Sequence, residues 1–220
     1  MPVNAIAYHQ LKKELEAQGV TLLAVSKKKP VEDIEELYRM GHRDFAENYV
    51  QELVEKQPLL PTDIRWHFIG HLQRNKVKYI VPFCASIQGV DSLALLQEIN
   101  KQAQKCGRVL EVLLQVHIAH EETKFGLDRD EVIDLLRQAE HYTHVRIVGL
   151  MGMASFTEDQ EQIKAEFTAL RSIFDQCNSQ QYGQIRLHTL SMGMSGDYPM
   201  AISCGSNMVR VGSLLFGARS

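Results

Sequence analysis

Residues 109–151 read VLEVLLQVHIAHEETKFGLDRDEVIDLLRQAEHYTHVRIVGLM. Val109–His117 and Val145–Met151 are too continuously apolar for a sheet with one wet face. Both are expected to be covered on two sides, as parallel strands are. Between them Asp128 and Glu131 have capping-box spacing, and Val132, Leu135, Leu136 and Ala139 then share one helical face. Strand, helix and strand in one such stretch make a βαβ unit.

The same alternation extends in both directions. Further strands are expected at Leu22–Ser26, Asp44–Ala46, Arg65–Gly70, Cys84–Gly89, Ile185–Ser191 and Met208–Gly212. Asp91-Ser92 caps a helix bearing Leu93, Leu96, Ile99 and Ala103. Thr157 with Gln160 makes a second capping box ahead of Ile163, Phe167, Leu170 and Phe174. The opening MPVNAIAYHQLKKELEAQG reads as an extra amphipathic helix rather than a signal peptide. Eight strands with helices between them favour a closed (β/α)8 TIM barrel, one α/β domain over residues 1–220. A six-stranded open sheet is the alternative if Asp44–Ala46 or Cys84–Gly89 is not a strand. No G-x-G-x-x-G follows the first strand, which weakens a dinucleotide-binding reading.

Composition narrows the class further. Of 220 residues, 45% are hydrophobic and 23% charged, which excludes a disordered or fibrous chain. A net charge of −3 argues against nucleic acid or an anionic membrane as partner. Cys84, Cys106, Cys177 and Cys204 stand far apart, so neither a disulfide framework nor a thiolate metal site is expected. No apolar run approaches the roughly 20 residues of a bilayer span. The expected setting is the cytoplasm.

Barrels gather function at the C-terminal ends of their strands. The first run continues into Lys27-Lys28-Lys29-Pro30. Lys28 and Lys29 read as solvated and Pro30 as the start of the next helix, whereas Lys27 directly prolongs the strand and could face the barrel mouth. Desolvation there would free its amine as a nucleophile toward carbonyls. The loops after strands seven and eight commonly hold phosphate. Ser191, Gly212 and Ser213 supply hydroxyls and a close backbone approach, although such glycines can also simply turn the chain. Ser195, in Gly193-Met194-Ser195-Gly196, lacks the spacing of a nucleophile elbow. Arg210 lies inside the apolar run MVRVG and needs a partner, either a salt bridge or the ring nitrogen of a bound cofactor. The nine histidines offer no metal-ligand motif, and Trp66 and Phe68 read as helix-facing core residues. A reactive lysine, a phosphate cradle and an arginine near a ring nitrogen together suggest pyridoxal 5′-phosphate.

The blocks LLAVSKKKP (22–30), FAENYVQE (45–52), WHFIGHLQRNK (66–76), TKFG (123–126), VGLM (148–151), LSMGMSGDY (190–198) and GSNMVRVGSLLFGAR (205–219) closely resemble the pyridoxal phosphate homeostasis family. That family, also called the proline synthase co-transcribed family, is related to the alanine racemase N-terminal barrel. The resemblance implies a Schiff base at Lys27, phosphate ligands at Ser191, Gly212 and Ser213, and a pyridine-nitrogen contact at Arg210. It also implies a place beside the ring for Asn48. Asn207 departs from the family's GSTM, and neither it nor Lys124 receives a role.

Arginine cannot accept a pyridine proton, so the ring nitrogen would stay unprotonated and stabilise a carbanion poorly. The sequence ends shortly after strand eight, so neither a second racemase domain nor a base for the opposite face is expected. The resulting expectation is a non-enzymatic carrier, a monomer with no catalytic or metal-binding residue. It would act in vitamin B6 and amino-acid homeostasis, with apo pyridoxal-phosphate enzymes or a regulatory protein as further partners. A weak amino-acid racemase, an aldolase-type barrel and a cofactor-controlled interaction protein are the alternatives.

Overall fold

Side-chain alternation along the apolar runs sets the architecture. In the computed structural model, which describes residues 3–119, 125–180 and 182–217, Leu22 and Ala24 pack outward against helices. Leu23 and Val25 point the other way and meet Ala46 in the barrel interior. A strand that buries both faces cannot lie on an open surface.

The strands are β1 (Thr21–Val25), β2 (Asp44–Glu47), β3 (Arg65–Phe68), β4 (Ser86–Val90), β5 (Leu110–Val116), β6 (Val145–Gly152), β7 (Thr189–Met194) and β8 (Met208–Val211). All pair in parallel and in sequence order, and β8 pairs with β1, so the barrel closes. The helices are α1 (Ala5–Ala17), α2 (Val31–Arg39), α3 (Val50–Lys56), α4 (Val77–Ile80), α5 (Leu93–Lys105), α6 (Arg129–Gln138), α7 (Gln160–Ser179), α8 (Tyr198–Ser203) and α9 (Ser213–Phe216). The closed barrel replaces the six-stranded alternative, because both doubtful strands form.

The helix starts follow their caps. Asp128 and Glu131 form the reciprocal capping box of α6, and Ser92 accepts from Leu95 N at the start of α5. For α7 the cap is Asp159, which accepts from Glu161 N and Gln162 N, and Thr157 instead receives Asp159 N. A carboxylate facing two unpaired amides is the stronger cap. Pro30 stands one residue before α2, in the extended conformation. Trp66 and Phe68 face the helices.

Strand β7 begins and ends later than Ile185–Ser191. The ladder with β8 shifts between Ser191 and Met194, and Gly193 adopts φ 97° there. That bulge carries the strand through a segment that reads as loop. Asn207 ties the same edge together: its Oδ1 accepts from Leu190 N and its Nδ2 donates to the His188 carbonyl.

Candidate functional site

The end of β1 presents Lys27. Ser26 N extends the ladder to the Ala46 carbonyl at 3.0 Å, and Lys29 N closes a turn on the Ser26 carbonyl at 3.0 Å. Lys27 sits half-buried at the start of that turn. Its parity follows Leu23 and Val25, which line the interior, whereas the Ser26 hydroxyl points to the helix layer and donates to Glu47. Lys28 is exposed, as expected, and adopts φ 58°, rare for a residue with a Cβ. Lys29 is not the solvated residue its sequence context suggests: its Nζ donates to the Phe216 carbonyl at 2.7 Å.

Asn48 follows β2, one strand away. Val25 pairs with Ala46, so Lys27 and Asn48 stand level two residues beyond that pair. The Asn48 Oδ1 is buried with no hydrogen-bond partner. The backbone around it is closely packed, since a Cβ on Gly70 would fall 2.0 Å from the Asn48 carbonyl oxygen. A buried acceptor without a donor costs about 1–3 kcal/mol, a cost that a donor on a bound molecule would relieve.

Arg210 lies inside the barrel, only 3% exposed. Its Nη1 donates to the Ser191 carbonyl at 2.8 Å and to the Ser191 hydroxyl at 2.7 Å, and Nη2 donates to the Gly152 carbonyl at 2.9 Å. Burial pushes the guanidinium down to about 10, against the opposing charge of Asp197. Burial likewise raises the Asp197 carboxyl, whose Oδ1 accepts from Met194 N. Ser191 does not reach the rim with the other expected phosphate donors. Its hydroxyl is wholly buried and its proton goes to Gln88 Oε1 at 2.8 Å.

The rim beyond β8 carries Gly212 and Ser213. A Cβ on Gly212 would approach the Val25 carbonyl oxygen to 3.1 Å, so a side chain there would crowd the end of β1. Gly212 N donates to the Ser195 hydroxyl at 3.3 Å. Having accepted that bond, Ser195 keeps its proton for an outside acceptor. Ser213 is exposed at the first position of α9.

Among the described residues no group of three or more His, Cys, Asp or Glu side chains could hold a metal ion, and no helix is long and apolar enough to cross a membrane. His71 bonds to Asp91 at 3.1 Å and stacks on Phe125. His67 joins Ser86 and Asp44 on the barrel floor.

The model of the alanine racemase N-terminal domain family matches residues 6–220. A pyridoxal phosphate homeostasis protein of Pasteurella multocida (strain Pm70) is 41% identical over 206 residues, covering 91% of this chain and 87% of that protein. The chain belongs to the pyridoxal phosphate homeostasis protein family. A member from Schizosaccharomyces pombe is 37% identical over 213 residues, 96% of this chain and 89% of that one. PipY from Synechococcus elongatus PCC7942, solved with PLP bound, superposes with a TM-score of 0.89 at 36% identity, covering 97% of this chain and 99% of that one. Alanine racemase from Streptomyces lavendulae shares the fold, with a TM-score of 0.79 at 14% identity over 97% of this chain and 57% of its own.

In this family member the mouth brings together Lys27, Asn48, Gly212 and Ser213, with Arg210 beneath them in the barrel. Ser195, Gln88 and Asp197 join the site without having been expected there. The one signal for Ser195 was a hydroxyl in the Gly193–Gly196 segment after a barrel strand. Lys124 lies outside the described residues.

Proposed function

We propose that this chain binds pyridoxal 5′-phosphate at the barrel mouth, with Lys27 as its covalent attachment point, and holds the cofactor rather than using it on a substrate. The observation that carries this reading is the buried, partnerless Asn48 Oδ1 beside Lys27, on a rim where a side chain at Gly212 would crowd the end of β1. The donor set fits the group: an amine for an aldehyde, neutral hydroxyls for a phosphate, and an arginine for a ring nitrogen. When bound, the cofactor supplies an aldehyde carbon that forms a C=N bond to a primary amine, its oxygen leaving as water.

The chain's own residues divide the remaining work. Lys27 supplies the amine. Ser195 and Ser213 donate hydroxyl protons to the anionic tail, and Gly212 lets that tail approach the backbone. Ser191, Gly152 and Gln88 fix the guanidinium of Arg210 in place. Because a guanidinium has only donors, the ring nitrogen facing Arg210 remains an acceptor and draws electrons weakly. That disfavours carbanion chemistry and suits a protein that stores or delivers a reactive aldehyde. Recipient apo enzymes or a regulatory protein complete this reading.

Titration of the purified protein with pyridoxal 5′-phosphate, read by visible absorbance, tests it. The wild type should develop a saturable band absent from Lys27→Ala, and should form no D-alanine from L-alanine. Equal bands in both proteins, or steady racemisation, would contradict the reading.

A further inference from the structure

The block FAENYVQE contains two glutamates that the cofactor site does not use, Glu47 at the end of β2 and Glu52 in α3. Both meet Lys56, one helical turn beyond Glu52. Lys56 Nζ lies 2.8 Å from Glu47 Oε1 and 2.6 Å from Glu52 Oε1. Glu47 is fully buried and Lys56 nearly so. Burying such charges carries a desolvation cost that their attraction often fails to recover, so apolar packing would join β2 to α3 at least as well. The pair's value lies elsewhere.

The ions converge on the two peptide groups that flank Lys27. Lys56 Nζ also donates to the Ser26 carbonyl at 2.8 Å, and this carbonyl belongs to the Ser26–Lys27 peptide. Glu52 Oε1 accepts from Lys28 N at 2.5 Å, and this amide belongs to the Lys27–Lys28 peptide. Glu47 Oε1 takes the Ser26 hydroxyl proton at 2.7 Å, which fixes the preceding residue from the helix side. The two peptide planes together determine the direction of the Lys27 Cα–Cβ bond. They also hold the turn in which Lys28 adopts φ 58°, a conformation that persists only where its surroundings impose it.

We propose that Glu47, Glu52 and Lys56 form a positioning device that aims the Lys27 amine into the barrel mouth. None of the three touches the cofactor; they act through the backbone of Lys27. The inference rests on Lys27 being the attachment point. Misplacing a reacting amine by about 1 Å costs up to a hundredfold in rate. The device therefore governs how fast Lys27 forms its covalent bond, not how well the mouth holds the rest of the cofactor.

Two probes separate these effects: pyridoxal 5′-phosphate, and 4′-deoxypyridoxine 5′-phosphate, which lacks the aldehyde. Glu52→Ala leaves Lys56 paired with Glu47 and so keeps the buried pair intact. It should slow attachment to Lys27 by roughly tenfold to a hundredfold while binding the aldehyde-free probe as the wild type does. Glu52→Gln keeps an acceptor for Lys28 N and should restore the rate. The double variant Glu47→Gln with Lys56→Met, which leaves no unpaired buried charge, should behave as Glu52→Ala. Wild-type attachment rates in Glu52→Ala, or equal loss of both probes, would overturn the positioning role. Attachment that persists in Lys27→Ala would overturn the site reading itself, and the inference with it.

Discussion

Arg210 Nη1 donates twice to Ser191, at 2.8 Å to its carbonyl and 2.7 Å to its hydroxyl. The hydroxyl proton then passes to Gln88, so one small side chain in β7 couples β4 to β8 across the barrel interior. Removing it leaves a buried amide oxygen and a buried cation each short of a partner. Ser191→Ala should lower stability by about 1–3 kcal/mol in urea unfolding. No change would mean that the two neighbours re-pair without it.

The phosphate end of the site depends on other hydroxyls. Ser195→Ala with Ser213→Ala removes two donors from the rim and should weaken retention of the cofactor by about 1.5–3 kcal/mol for each hydrogen bond to the anion. Equilibrium dialysis measures this directly. Retention equal to the wild type would put the anion elsewhere.

Arg210→Glu replaces a group with only donors by one that can share a proton with the ring nitrogen. The visible absorption of the bound cofactor should then change with pH over a range in which the wild type stays constant. Identical pH responses would contradict the contact between Arg210 and the ring.

His42 contributes a pH dependence to the fold between the ordinary histidine range and acid. Burial lowers its pKa from 6.5 to about 4, while its Nε2 stays 2.8 Å from the Asp44 carbonyl and its ring meets Tyr8 and Phe45 edge-on. The unfolded chain binds a proton in this window and the folded chain does not. Stability should therefore fall as pH drops from about 6.5 toward 4, by roughly 3 kcal/mol from this residue. Urea unfolding of the wild type and His42→Phe across that range checks the sign; equal slopes would show that His42 does not carry the effect.

The strands were legible because parallel strands buried on both faces leave continuous apolar runs, and Lys27 stood out as a candidate because it directly prolongs one. β7 was displaced because Gly193 forms a bulge inside a stretch that otherwise reads as loop. Asn48 entered through family resemblance, since a lone asparagine after a short strand has no pattern of its own. Ser195 and Lys56 were missed for a different reason. Their partners, the Gly212 amide and the Ser26 carbonyl, lie just past neighbouring strands, and only the pairing of β7 with β8 and of β1 with β2 brings them near. Arg210 was singled out by its apolar surroundings, but nothing local showed that Ser191 would hold it rather than face the rim.

Borohydride reduction of the protein incubated with pyridoxal 5′-phosphate, followed by digestion and mass mapping of the pyridoxyl group, tests the central claim most directly. The label should reside on Lys27 at one per chain and vanish in Lys27→Ala. A label on Lys28, Lys29 or Lys124 with Lys27 unmodified, or no stoichiometric label at all, would contradict it.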